Sequence, residues 1–179
     1  LREEIPEDAV MRLLDDLKKM QTEIIRFTGG GEPLLHPACG RFIRRAKKAG
    51  MKVALTTSLP RVDEETLEIL RDVDELAVSI WAGDRQTYTR MHPNQPEEQF
   101  DYMAESLRYL AREANPFQEL TLANVLTNQN YDTIDQMIAF ARETGAAKIY
   151  FTLVDPIDGK TDRLLLNEEE RARSEEHTS

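Results

Sequence analysis

The chain has 179 residues, of which 40% are apolar and 31% charged, and its formal net charge is −10. This composition is typical of a folded globular protein and excludes a disordered or fibrous chain. The acidic balance disfavours a nucleic-acid partner, because phosphate binding needs clustered basic side chains. No apolar run approaches the ~20 residues that span a bilayer, and no basic, apolar leader opens the chain. We therefore expect no membrane segment and a cytoplasmic location.

Helical and extended patterns alternate along the chain. A first amphipathic helix, with Asp8 as its predicted N-cap, has apolar residues at helical spacing from Val10 to Met20. Two later helices are predicted to end before glycines, Ala38–Ala49 before Gly50 and Tyr131–Thr144 before Gly145. A short helix is predicted to begin after Asp63, and a longer one covers Glu97–Glu113 and is ended by Pro116. Five short apolar runs are predicted as strands: Glu23–Thr28, Lys52–Thr57, Leu76–Trp81, Leu120–Leu126 and Lys148–Leu153.

Five strands, each reached through a helix, predict an α/β fold with a parallel sheet of right-handed βαβ units. Periodicity alone does not separate an open doubly wound sheet from a (β/α) barrel. No domain boundary is predicted before Asp155.

Small and polar residues lie at or just after the carboxyl ends of the predicted strands, where parallel α/β folds bind their ligands. They include Thr28–Glu32, Thr56–Ser58, Ser79, Asn124, Thr127, Asn128, Thr152 and Asp155. The glycines of Thr28–Glu32 lack Cβ, so a ligand can approach their backbone closely, although a tight β–α turn is the alternative. The segment is neither GxGxxG nor a phosphate-binding GxxxxGK[ST] loop. Glu32 could accept hydrogen bonds from a ligand ammonium or anchor the loop.

The segment TGGGEPLLHP, Thr28–Pro37, resembles the GGEP motif that follows the second strand of radical S-adenosylmethionine enzymes. LTTSL, VSIWAG and ANVLTNQN follow the next three strands in matching order, so the resemblance covers about Ile5–Asp155. It implies a partial (β/α) barrel with parallel strands, truncated at both ends. It also implies S-adenosylmethionine and a [4Fe–4S] cluster, with reductive cleavage to a 5′-deoxyadenosyl radical that abstracts hydrogen from a substrate.

The resemblance implies a set of cofactor-binding residues at four strand ends, namely Gly30, Gly31, Glu32, Pro33, Thr57, Ser58, Ser79 and Asn124. The backbone of Gly30, Gly31 and Glu32 would bind the methionine amino group, and Pro33 would stiffen the loop exit. Ser79 would help to hold the methionine carboxylate or the ribose. Thr57, Ser58 and Asn124 would line the site from neighbouring strands.

The chain departs from the family pattern at the cluster-binding CxxxCxxC, which it lacks. Its one cysteine, Cys39, follows the glycine motif and is interpreted as a buried helix residue, so no metal ligand is assigned in this chain. The cluster loop would lie upstream of Leu1, which makes the chain an inactive fragment of a larger enzyme. Trp81 stands where many peptide-modifying members have Asp, so the substrate stays an unknown small molecule or peptide. The expected electron donor is a flavodoxin or a ferredoxin.

The predicted organisation is a partial barrel over residues 1–155 and the start of a C-terminal segment over 156–172. The last seven residues, RSEEHTS at Arg173–Ser179, match the translation of a common sequencing adapter and are interpreted as an artefact. His36 and His92 are interpreted as turn and loop residues. A non-catalytic barrel paralogue that binds a ligand or a protein is the alternative function. An unrelated hydrolase- or kinase-like α/β fold is disfavoured by the missing nucleophile elbow and phosphate loop.

Overall fold

The structure is a computed structural model that describes residues 4–113 and 119–176. Its α-helices are α1 (Glu7–Lys19), α2 (Cys39–Lys48), α3 (Glu64–Leu70), α4 (Arg85–Met91), α5 (Glu98–Glu113), α6 (Ile134–Glu143) and α7 (Glu168–Glu176). Short 3₁₀ turns cover Pro33–Leu35, Tyr131–Thr133 and Asp162–Leu164. The strands are β1 (Ile24–Phe27), β2 (Lys52–Thr57), β3 (Glu75–Ser79), β4 (Glu119–Leu126) and β5 (Lys148–Leu153).

The strand order distinguishes a (β/α) barrel from an open doubly wound sheet, which periodicity alone did not. All five strands pair in parallel, and their order across the sheet is their order along the chain, β1 to β5. A doubly wound sheet reverses direction at a switch point, whereas a barrel wall adds each strand beside the last. The sequential order therefore confirms the predicted partial barrel.

The two faces of the sheet differ in burial. Burial alternates strictly along β4, and the buried residues of the central strands pack against the helices. This helix-facing side carries Ile25, Phe27, Val53, Leu55, Leu76, Val78, Leu120, Leu122, Ile149 and Phe151. Because successive side chains point to opposite faces, the other side forms what we call the inner face. It carries Ile24, Arg26, Ala54, Thr56, Glu75, Ala77, Ser79, Glu119, Thr121, Ala123, Val125, Lys148, Tyr150 and Thr152.

The core lies between the helix-facing side and the helices. Helix α5 contributes the apolar stripe that its 3.6-residue period predicted, including the fully buried Met103, Leu107 and Leu110. Burial of each such side chain stabilises the fold by about 1.5–3 kcal/mol. A second apolar cluster joins Leu126, Ile134 and Met137 to Leu166, so the segment after Asp155 packs against the barrel.

Several helix ends follow the predictions, and one does not. Gly50 (φ +87°) and Gly145 (φ +73°) end helices in the left-handed region, and the Asp63 carboxylate caps α3 by accepting from Thr66 N–H. The prediction for Asp8 was wrong, because α1 begins at Glu7 behind Pro6, which places Asp8 inside the first turn. There its carboxylate binds Arg12 instead.

Pro116 lies outside the described residues. The described chain continues α7 through Glu176, and the adapter origin of Arg173–Ser179 stays a prediction. In the ranges 4–113 and 119–176, no helix is both long and apolar enough to cross a membrane.

Candidate functional site

The loop after β1 presents a bare backbone. None of Gly29, Gly30 and Gly31 has a positive φ, and a Cβ added at Gly30 or Gly31 would meet no atom within 4 Å. Their N–H and C=O groups make no hydrogen bond with any residue that the structure describes. The fold itself therefore does not require glycine at these positions. Unpaired backbone groups without side chains are suited to binding a ligand closely.

Glu32 anchors this loop to the end of the neighbouring strand. Its Oε1 accepts from the Thr57 hydroxyl at 2.6 Å and from Leu34 N–H at 3.0 Å. Its Oε2 accepts from the Ser58 N–H at 2.6 Å and from the Ser58 hydroxyl at 2.7 Å. Of the two functions considered for this carboxylate, the geometry favours the anchor over a direct ligand contact. Thr57 and Ser58 accordingly hold the loop with their side chains.

Pro33 begins the 3₁₀ turn that leads out of the loop. The turn is closed by Leu35 N–H donating to the Glu32 carbonyl at 3.2 Å and by His36 N–H donating to the Pro33 carbonyl at 3.0 Å. Proline suits this position because its φ is already fixed near the helical value. The prediction that Pro33 stiffens the loop exit agrees with this geometry.

Two bulky residues at the ends of β2 and β3 have left-handed backbones. Leu59 has φ +49° and Trp81 has φ +59°, a conformation that costs such residues about 1–3 kcal/mol. Each carbonyl is held by a buried amide, since Gln99 Nε2 donates to Leu59 O and Asn130 Nδ2 donates to Trp81 O, both at 2.9 Å. The backbone at both strand ends is thereby fixed.

Sequence reasoning missed Gln99 and Asn130 as supports of these loops. Asn130 is fully buried, and its Nδ2 also donates to the Val125 carbonyl at 3.0 Å. Its Oδ1 accepts from Thr127 N–H at 2.8 Å, so the amide ties the β3 and β4 ends together. The available signal was an asparagine in a turn just after a strand, in the quoted segment ANVLTNQN.

Ser79 lies on the inner face at the end of β3. Because Thr57 pairs with Val78, Ser79 is one residue further towards the carboxyl edge, beside the loop anchored by Glu32. Its hydroxyl has no hydrogen-bond partner among the described residues. The structure therefore brings Ser79 to the same edge of the sheet as the glycine loop, with a free hydroxyl.

Asn124 differs from the other predicted site residues. It shares its face with Leu120 and Leu122, so its side chain lies on the helix-facing side and not beside Ser79. It is only 1% exposed, and both polar atoms of its amide lack a hydrogen-bond partner. The structure does not bring Asn124 to the inner face.

The two described histidines have structural contacts. His36 Nδ1 accepts from Ala38 N–H at 3.0 Å, which leaves Nε2 to donate to the Ile5 carbonyl at 3.1 Å. His92 Nδ1 donates to the Tyr88 carbonyl at 3.2 Å, and burial lowers the pKa of this imidazole. These contacts agree with the interpretation of both as turn and loop residues.

A [4Fe–4S] cluster does not fit the residues of this chain. Its one cysteine, Cys39, is buried in α2, and burial, together with the charge of Glu32, raises the pKa of its thiol to about 11. Cluster ligation needs several thiolates. Among the described residues, no group of three His, Cys, Asp or Glu side chains could hold a metal ion. S-adenosylmethionine does fit, because the open glycine backbone and the free Ser79 hydroxyl can receive its amino-acid group.

Comparison with known proteins identifies the family of the chain. The sequence profile of the Radical SAM superfamily matches residues 1–141. The chain belongs to the radical SAM superfamily. No curated protein matches the chain at a significant level.

Solved structures of radical SAM proteins share the fold at low sequence identity. SuiB of Streptococcus suis superposes with a TM-score of 0.77 at 18% identity, over 99% of this chain and 40% of SuiB. The protein anSMEcpe with bound AdoMet gives 0.71 at 14%, over 97% of this chain and 50% of that one. TYW1 with a lysine-pyruvate adduct bound gives 0.67 at 15%, over 97% and 62%. The radical SAM chain thus spans less than two thirds of each of these proteins.

Proposed function

We propose that this chain is the cofactor-binding part of a radical SAM enzyme. The observation that carries the proposal is the loop Gly29–Gly31, whose backbone is open and unpaired although the fold does not require glycine there. In this family, S-adenosylmethionine supplies on reductive cleavage the 5′-deoxyadenosyl radical that abstracts hydrogen from the substrate.

Each residue of the site has a separate task in this proposal. The carbonyls of Gly30 and Gly31 accept hydrogen bonds from the methionine ammonium. Glu32 keeps these carbonyls in place through Thr57 and Ser58. The Ser79 hydroxyl donates to the carboxylate or the ribose.

The substrate is proposed as a peptide or a small molecule. SuiB has been solved bound to its precursor peptide SuiA, which supports a peptide for this chain as well. A flavodoxin or a ferredoxin is the proposed electron donor. The chain alone is proposed to be inactive in cleavage, since its one buried thiol cannot hold a cluster.

Isothermal titration of the purified chain with S-adenosylhomocysteine tests the proposed site. Gly30→Ala is expected to raise the Kd at least about tenfold, because the methyl group occupies the space that the ligand needs. Its unfolding free energy is expected to stay within about 1 kcal/mol of wild type, since nothing lies within 4 Å of the new Cβ.

Gly40→Ala is the matched control. Gly40 lies in α2, and its added Cβ meets the flexible end of the Ile69 side chain of α3 at 2.7 Å. This variant is expected to change stability and to leave the Kd unchanged. The proposed site is refuted if the wild-type chain does not bind the probe, or if Gly30→Ala binds it as tightly as wild type.

A non-catalytic binding protein is the second candidate, and the single buried cysteine favours it. Sequencing the genomic DNA upstream of the Leu1 codon separates the two candidates. A continuous frame that encodes CxxxCxxC supports the enzyme. A frame without those cysteines supports the binding protein.

A further inference from the structure

Three residues form a row across the inner face at the level of Ser79. Ser79 pairs with Ala123 on β4, and Ala123 pairs in turn with Tyr150 on β5. Neighbouring strands lie about 4.8 Å apart, so the Cα atoms of Ser79 and Tyr150 are separated by about 10 Å. Ala123, with its small methyl side chain, lies between them in the row. We call this row, Ser79–Ala123–Tyr150, the inner shelf.

Tyr150 is an exposed aromatic side chain that is not part of the buried core. Its neighbours Ile149 and Phe151 pack against the helix-facing clusters, so Tyr150 lies on the inner face. It is 59% exposed, and its hydroxyl has no hydrogen-bond partner among the described residues. A tyrosine ring is long enough to extend over an alanine on the next strand. The ring therefore adds an exposed apolar surface to the inner face, two strands away from Ser79.

The inner shelf itself carries no charge. The charged residues of the inner face lie towards the amino ends of the strands, and they are paired with each other. Arg26 binds Glu75 at 2.6 Å across Ala54, and Lys148 binds Glu119 at 2.8 Å. A flat, uncharged group with hydroxyls fits the shelf better than an anion or an ammonium would.

We infer that the Tyr150 ring packs against the nucleoside of S-adenosylmethionine, opposite the Ser79 hydroxyl. This inference rests on the proposed function and adds a side-chain contact from β5 to it. An aromatic face next to a free hydroxyl matches the two parts of a nucleoside, the planar base and the polar sugar. The alanine between them leaves room for the ligand.

Titration of the chain with S-adenosylhomocysteine tests the inference, by calorimetry and by the fluorescence of Trp81, the one tryptophan in the chain. Tyr150→Ala is expected to raise the Kd about tenfold, the size of effect seen when an aromatic platform under a base is removed. Tyr150→Phe keeps the ring and is expected to stay within about twofold of wild type. Free methionine lacks the nucleoside, so its Kd is expected to be equal for Tyr150→Ala and wild type.

Ile24→Ala is the control for loss of an exposed apolar side chain from the inner face. Ile24 is 42% exposed on β1, at the amino end of the sheet. It is expected to bind S-adenosylhomocysteine like wild type. Thermal unfolding of both alanine variants checks that the fold is retained.

The outcomes separate the two proposals. Wild-type binding that Tyr150→Ala leaves unchanged overturns the contact with Tyr150 and leaves the proposed function intact. A Tyr150→Ala defect that is equal for methionine and S-adenosylhomocysteine also overturns the nucleoside contact. Failure of the wild-type chain to bind overturns both proposals.

Discussion

Removing the Glu32 carboxylate tests how the glycine loop is held. In Glu32→Ala, four donors on Leu34, Thr57 and Ser58 lose their acceptor. Ser58 is exposed, so water can replace the carboxylate for its two donors. Thr57 is buried and Leu34 is half-buried, so their donors lose hydrogen bonds to a charged group worth about 1.5 kcal/mol or more each. We expect a loss of about 3 kcal/mol in the free energy of unfolding.

Glu32→Gln separates the hydrogen bonds accepted by Oε1 from those accepted by Oε2. The amide oxygen can still accept from Leu34 N–H and Thr57, whereas the amide nitrogen meets the Ser58 N–H, which is also a donor. We expect a smaller loss, about 1–2 kcal/mol.

Urea unfolding at pH 7, followed by Trp81 fluorescence and by circular dichroism, measures these changes. Glu65→Ala is the matched control, because the Glu65 carboxylate also accepts a side-chain hydrogen bond, in this case from Arg44, but its side chain is 68% exposed. Such a surface pair contributes about 0–1 kcal/mol. The reasoning is refuted if Glu32→Ala unfolds within 0.5 kcal/mol of wild type, the order of a neutral surface substitution. It is also refuted if Glu32→Gln is less stable than Glu32→Ala.

Two further predictions concern packing and pH. Gly83→Ala is expected to cost about 3 kcal/mol in urea unfolding, because its Cβ would overlap the α6 backbone, and a loss below about 1 kcal/mol would contradict this packing. Burial raises the pKa of Asp74, but hydrogen bonds from Lys47 and the Val53 N–H together outweigh it, so the folded pKa lies below the usual value for an aspartate. The stabilisation by Asp74 is therefore present above about pH 4 and lost as pH falls through the folded pKa. Urea unfolding between pH 3 and 7 should show a weaker acid dependence in Asp74→Asn, and an identical dependence would contradict the assignment.

Local pattern predicted the elements of the fold well. Short apolar runs such as Lys52–Thr57 were correctly predicted as strands, because residues buried on one side of a covered sheet leave that signature in any window. Gly50 and Gly145 ended helices for an equally local reason, since a left-handed residue there favours glycine. Asp8 failed as an N-cap because the helix begins directly after Pro6, two residues earlier than an N-cap at Asp8 would give.

The candidate site was predictable only in part. Gly30 and Gly31 follow β1 and Ser79 is the last residue of β3, and parallel strands bring such residues to one edge. Asn124 satisfied the same criterion, yet its register places it on the helix-facing side. The face of the sheet on which a strand residue lies depends on where the core is. The segment ANVL has small or apolar residues at successive positions, so its pattern does not show which of them face the helices.

The order of residues in this chain was sufficient to predict a parallel α/β fold, the glycine loop and the family, because each is encoded in segments of ten residues or fewer. The barrel order of the strands, the anchoring of Glu32 by Thr57 and Ser58, and the row from Ser79 to Tyr150 join residues 21 to 71 positions apart. Such contacts depend on strand register and on which side the helices cover. Both are properties of the packed chain, since the free energy that selects them is gained only when distant segments bury their surfaces together.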